Sequence, residues 1–206
     1  RYASKEMGFW SLRTIDTAPN TSPLGWPAIA TNKTSATHIA WVNGATHTIR
    51  YCTGLATAIE EVAPDTDVSM IALAVDRSGN PHVAYVKAGA LLVADRVGGT
   101  WQSHEVLPAT WQVYAIAFAY ATDTQPYVVF TTADAKPLQL ATPLFGEWCV
   151  QSIGAVPASS HAGVPAIAAG SGIDPRMHVC TAWVANGLEV GWDDPNAIAF
   201  TRAHLV

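Results

Sequence analysis

The sequence predicts an all-β chain in which one four-stranded antiparallel meander recurs about every 45 residues. Three observations predict it. Residues 70–107 hold four short runs of alternating apolar and polar residues, separated by Gly-, Pro-, Asn- or Asp-containing breaks, which is the pattern of successive strands joined by tight turns. The first two runs recur. Ala72-Leu73-Ala74-Val75 is matched by Ala28-Ile29-Ala30-Thr31, Ala117-Phe118-Ala119-Tyr120 and Ala166-Ile167-Ala168-Ala169. His82-Val83-Ala84-Tyr85 is matched by His38-Ile39-Ala40-Trp41, Tyr127-Val128-Val129-Phe130 and His178-Val179-Cys180, at spacings of 44, 45 and 51 residues. The last run has a Gly-x-Trp lead-in at Gly8-Phe9-Trp10, Gly99-Thr100-Trp101 and Gly146-Glu147-Trp148, followed five residues after each Trp by Ile15, Val106 and Ile153.

Within the clearest copy the strands, here a to d, are residues 70–75, 82–86, 91–96 and 100–107, with turns at 76–81, 87–89 and 98–99. Residues 1–15 hold only a c–d hairpin that turns at Lys5-Glu6-Met7-Gly8. Residues 16–27 form a long polar connection ending beside Trp26. The next copy is 27–62, and its d strand lacks the Gly-x-Trp lead-in, having Thr57-Ala58-Ile59 instead. Copies at 69–107, 115–153 and 165–206 follow, joined through Pro108-Ala109-Thr110-Trp111 and a small-residue stretch at 154–165. In the last copy the a–b turn is lengthened and Trp183 stands two places beyond the position of Tyr85, which predicts a bulge or a longer strand. No helix is indicated.

A repeat of 40–50 residues with four strands each is the pattern of propeller blades, whose radial stacking buries both faces of each sheet. The chain resembles the β-propeller superfamily over nearly its whole length. Asp95-Arg96-Val97-Gly98-Gly99-Thr100-Trp101 is similar to the Asp-box turn of BNR-type propellers, although the serine that usually precedes the Asp is missing and the other copies lack the Asp. The expected architecture is an all-β, β-propeller fold of four-stranded antiparallel blades. It forms one domain over residues 1–206 with about four and a half blades. A closed ring needs whole blades. The chain is therefore expected to be part of a larger ring, to share blades with a partner chain or homo-oligomer that completes the ring, or to leave one terminal segment outside it.

Half of the 206 residues are hydrophobic, only 13% are charged, and the net charge is −5 with four lysines. Phosphate binding needs clustered Lys and Arg, so nucleic acid is not an expected partner. No stretch approaches the 18 apolar residues of a membrane span. Cys52, Cys149 and Cys180 have no C-x-x-C spacing, and they read as small buried hydrophobes rather than metal or redox ligands. The low charge and the Ala, Thr and Trp content suit a secreted protein.

Long loops on a rigid scaffold usually carry function. The longest connections here are all d–a, and in a propeller they share one end with the b–c turns. Trp26 and Trp111 sit on that end, where an exposed indole matches the C–H face of a pyranose. Asn43, His47, His161 and Asn186 are the neighbouring polar candidates for its hydroxyls. The alternative for both Trp residues is plugging gaps between blades. Three groups are read as scaffold: the repeated His38, His82 and His178, bonding turns; Trp10, Trp101 and Trp148, packing between blades; and the adjacent acids Glu60-Glu61 and Asp193-Asp194, pointing to opposite faces as solvated edge residues. No catalytic residue, metal ligand or cofactor is assigned. Sialidase-like propellers use an arginine triad and an Arg-Ile-Pro segment, whereas Arg50, Arg77, Arg96 and Arg176 occupy unrelated blade positions and no Arg-Ile-Pro is present. The expected function is a non-enzymatic, lectin-like glycan-binding module. The alternatives are a fragment of a sialidase- or lyase-like glycan-active enzyme and a protein-interaction or assembly scaffold.

Overall fold

The computed structural model describes residues 1–17, 27–54, 58–64, 67–120, 125–134, 136–153, 164–169, 179–184, 188–192 and 201–205, with backbone alone for Glu6, Ala169 and the strands beyond it. A two-stranded hairpin comes first, β1 (Tyr2–Glu6) and β2 (Phe9–Arg13). Four antiparallel four-stranded sheets follow. They are β3 (Ala28–Thr31) to β6 (Glu60–Ala63), through β4 (Thr37–Val42) and β5 (Ile49–Thr53); and β7 (Val68–Val75) to β10 (Thr100–Leu107), through β8 (Pro81–Lys87) and β9 (Ala90–Val97). The third is β11 (Val113–Tyr120) to β14 (Glu147–Ser152), through β12 (Pro126–Thr132) and β13 (Gln139–Leu144). The fourth is β15 (Ala166–Ala169) to β18 (Thr201–Leu205), through β16 (Val179–Val184) and β17 (Leu188–Trp192). The fold is a β-propeller of four whole blades and one half blade.

The tight turns follow from one device. Met7-Gly8, Ala88-Gly89, Gly98-Gly99 and Phe145-Gly146 each place two successive residues at positive φ, the geometry whose twist matches two antiparallel strands. Gly89 is further constrained, because a Cβ there would lie 3.3 Å from the Ala109 carbonyl oxygen in the short 3-10 turn Ala109–Trp111. The β7–β8 turn is held by Asp76, whose Oδ1 accepts the Asn80 backbone N–H at 2.8 Å and whose Oδ2 accepts the Asn80 side-chain amide at 2.9 Å.

The first strand of each sheet lies innermost. β7 packs between β3 and β11, and β11 packs on β15. Ala28, Ala30, Ala72, Ala74, Ala115 and Ala117 supply the small side chains that this convergence requires. The second strand β8 is flanked by a neighbouring blade on both faces, so all of it except Lys87 is buried. One apolar cluster, around Tyr51, Val83 and Tyr85, joins the first two whole blades, and another, around Leu91, Ile116 and Phe130, joins the next two. Among the described residues no comparable packing links β15 back to β3 or to the β1–β2 hairpin.

The last blade corrects one expectation. Ala166 pairs with Ala182 and Ala168 with Cys180, just as Ala28 pairs with Ala40 and Ala30 with His38. Cys180, not His178, therefore occupies the histidine position, and Trp183 falls in the aromatic position of Trp41, Tyr85 and Phe130. β15 and β16 pair without a bulge. His178 lies outside the described residues.

Candidate functional site

Among the described residues, one convergence of polar groups lies at the seam between the first two whole blades, near the a–b and c–d turns. Glu60 on β6 faces Arg96 and Trp101, register partners on β9 and β10 that flank the Gly98-Gly99 turn. Arg96 donates from Nε to Glu60 Oε2 at 2.8 Å and from Nη2 to Oε1 at 2.9 Å, a two-pronged pair. Trp101 donates its indole N–H to Glu60 Oε2 at 2.9 Å. The Trp101 ring meets Tyr51 edge-on, with centroids 5.1 Å apart. Behind it, the Tyr51 hydroxyl lies 2.6 Å from His38 Nδ1.

This seam is graded from dry to wet. Tyr51 and His38 are buried, whereas the Glu60 and Arg96 side chains are each 33% exposed. Burial, opposed by Arg96 and reinforced by Glu60, pushes the Tyr51 phenol up to about 12. Burial and the nearby Arg96 charge hold the His38 imidazole below its usual value. The inner layer is thus neutral at physiological pH, and the charge sits in the outer Glu60–Arg96 pair. That pair leaves donors and acceptors free in principle, because a guanidinium has five N–H groups and a carboxylate about four lone-pair sites.

The next seam repeats the geometry with different chemistry. By register, Trp148 on β14 occupies the place of Trp101, and His104 on β10 the place of Glu60. Their rings lie 6.3 Å apart. Asp95 Oδ1 is 2.6 Å from His82 Nδ1, and its Oδ2 is 3.5 Å from His104 Nδ1. Tyr120 of the following blade stacks on His82 at 4.1 Å, and Asp76 Oδ2 stands 3.6 Å from His82 Nε2. Burial alone would raise the Asp76 carboxyl, but hydrogen bonds from Asn80 and the proximity of His82 outweigh it and hold it below the usual carboxylate range. A depressed carboxyl stabilises the fold above its unfolded pKa and loses that contribution as pH falls through the folded value. Asp76→Asn is therefore expected to lower the urea midpoint near neutrality, with the gap to the parent protein closing only as pH falls through the depressed carboxyl's own range, measured by denaturation at several pH values.

The residues expected on the d–a loop end do not form one such cluster within the described residues. Trp26, His161 and Asn186 lie outside those residues. Asn43 and His47 share one turn. Asn43 is buried, and its Oδ1 accepts the backbone N–H groups of Ala45 and Thr46 at 2.9 and 3.2 Å. His47 is exposed at positive φ. Trp111 lies on a separate connection, half-buried, with its ring 5.9 Å from Phe130 and Lys136 Nζ 5.1 Å from its centroid. Trp101 and Trp148 pack between blades as expected, but Trp10 is 69% exposed. Cys52 is buried and Cys149 exposed. Among the described residues no helix is long and apolar enough to cross a membrane.

No family model and no curated protein matches the chain. Solved β-propellers do. AofleA from Arthrobotrys oligospora superposes with a TM-score of 0.67 at 10% identity, over 91% of this chain and 58% of that one. The SapL1 lectin, solved in complex with alpha methyl fucoside, superposes with a TM-score of 0.66 at 14% identity, over 90% of this chain and 63% of the lectin. An alpha-L-arabinanase from Penicillium chrysogenum, complexed with arabinobiose, gives a TM-score of 0.58 at 13% identity over 94% and 70% of the respective chains. The present chain thus spans less than two thirds of the length of AofleA or SapL1. At these identities the likeness is one of fold.

Proposed function

We propose that the chain is a non-enzymatic, lectin-like glycan-binding propeller whose sugar site is the seam of Glu60, Arg96 and Trp101. One observation carries this reading: a carboxylate, a guanidinium and an indole N–H converge on a partly exposed seam beside aromatic rings. A carboxylate accepts from a sugar hydroxyl, a guanidinium donates to its neighbour, and an aromatic wall meets the C–H groups of the ring. Arg96 is already balanced by Glu60, so the site favours a neutral sugar over an acidic one. Binding of a monosaccharide glycoside by the SapL1 lectin supports the class of ligand. A secreted protein meeting surface glycans fits this role.

The loop-borne set of Trp26, Asn43, His47, Trp111, His161 and Asn186 is the second location for the same activity. Trp111 is its weaker member, since its ring already contacts Phe130 and Lys136.

A glycan array with the purified chain tests the proposal, with release of reducing ends assayed on every glycan that binds. Binding without hydrolysis, lost in Trp101→Ala and kept in Trp111→Ala, is the expected result. Loss only in Trp111→Ala moves the site to the loop end. Reducing ends released at a catalytic rate overturn the non-enzymatic reading in favour of a glycan-active enzyme.

A further inference from the structure

The seam between the second and third whole blades keeps the frame of the first seam and changes its charge. Register sets the places in correspondence. Pro143 stands where Arg96 stands, Trp148 where Trp101 stands, His104 where Glu60 stands, and Asp95 where Thr53 stands. An uncharged proline thus replaces the guanidinium, and the carboxylate moves from β6 in the first seam to β9 in the second. The fixed charges here are those of Asp95 and Asp76, and among the described residues no Lys or Arg is paired with either. Hydrogen bonding shows the same imbalance. An ionised Asp95 only accepts, so His82 donates to it from Nδ1 at 2.6 Å. His82 is 9% exposed, yet its Nε2 makes no hydrogen bond. Burial first, and then the Asp95 and Asp76 charges, push the Tyr120 phenol up, whereas in the first seam the Arg96 charge pulls Tyr51 the other way. The second seam is negative and short of donors.

Its outer end is open. The Asp95 and His104 side chains are 26% and 44% exposed, and Gln102, the register partner of Asp95, is exposed as well. Trp148 is half-buried, with its ring 6.3 Å from that of His104. An ammonium group brings three donors and a positive charge, and an aromatic face attracts it further. On a pyranose, the same group leaves ring C–H bonds for the indole and hydroxyls for Gln102 and His104. We propose that the seam of Asp95, His104 and Trp148 binds the protonated amine of an amino sugar, with Asp95 as its counter-ion. The ligand supplies the cation and the donors that this seam lacks. The first seam carries its own cation in Arg96 and has no place for a second. The two sites share no side chain, so this assignment stands whether or not a neutral sugar binds at Glu60.

Ligand-observed NMR titration tests it, in a buffer that keeps the amine protonated, with circular dichroism confirming that each variant is folded. The probes are methyl glucosaminide, its uncharged counterpart methyl N-acetylglucosaminide, and butylamine. Methyl glucosaminide is expected to bind at least about tenfold more tightly than either of the others, the size of one charge-assisted hydrogen bond. Asp95→Asn removes the counter-ion and is expected to abolish that preference. Pro143→Arg installs the cation of the first seam and is expected to abolish it too, without touching Asp95 or its bond to His82. Trp101→Ala, which removes the neutral-sugar site proposed above, is expected to leave the preference intact. Equal binding of the two glycosides overturns the proposal, as does a preference that survives both Asp95→Asn and Pro143→Arg. Loss of the preference in Trp101→Ala overturns it by moving the amine to the first seam. Butylamine binding as tightly as methyl glucosaminide overturns the assignment to a sugar.

Discussion

Glu60→Ala is expected to weaken glycan binding by at least about 100-fold while leaving a folded protein. Glu60 is the hub of the seam, accepting from Arg96 twice and from Trp101 once. Removing it deletes the carboxylate acceptor for a sugar hydroxyl and releases the two donors that shape the site. Hydrogen bonds to charged groups contribute roughly 1.5–3 kcal/mol each, so losing one to the ligand together with the order of the other donors reaches about 3 kcal/mol, or roughly 100-fold. The fold should tolerate the change. Both partners are a third exposed, water can solvate Arg96 once it is unpaired, and exposed ion pairs contribute only about 0–1 kcal/mol. Titration calorimetry with a glycan identified on the array, beside a urea denaturation curve, separates the two effects. Unchanged affinity in a folded Glu60→Ala protein removes this seam as the binding site.

The largest effect on stability is expected from Phe130→Ala. Phe130 is fully buried on β12, the second strand of its blade, within the cluster that joins the second and third whole blades. Its ring is also the surface on which Trp111 rests edge-on. Truncation leaves a cavity between two sheets that are each pinned by their own hydrogen-bond ladders and cannot collapse into it. Buried Phe→Ala changes cost about 3–5 kcal/mol, which for a chain of this size lowers the melting temperature by roughly 10 °C. Thermal unfolding by circular dichroism measures it. A shift of only a degree or two means that the seam closes over the gap and is softer than its packing suggests. Trp111 should lose its rigid seat at the same time, seen as a change in near-ultraviolet ellipticity.

The propeller was legible in the sequence because its signals are local. Period-two alternation and Gly-ended turns lie within a few residues of one another, and their recurrence needs no knowledge of packing. The last blade was misaligned for an instructive reason. Matching on His178 followed residue identity, whereas the pleat fixes which residue opposes Ala168, and the aromatic Trp183 was the better marker of depth in the blade. The Glu60 seam was not legible. Its partners stand 36 and 41 residues away in the next blade, and periodicity within a strand says which face a residue is on but not what lies across from that face. Glu60 and Glu61 were correctly expected on opposite faces. The face of Glu60, however, belongs to a neighbouring blade rather than to water. Trp10 shows the same limit from the other side, since the Gly-x-Trp lead-in is intact but no described residue covers its ring.

The serial packing of the sheets also bears on how the chain acquires its structure. Every described strand pairs with a strand next to it in sequence, and each described seam joins consecutive sheets. Contacts are therefore short in sequence for a protein made wholly of strands, which favours faster formation than β topologies with distant pairings. As in a linear array, each sheet can form against the one made just before it. A chain emerging from the ribosome could fold blade by blade from its N-terminal end, each new sheet templated by an exposed face already in place.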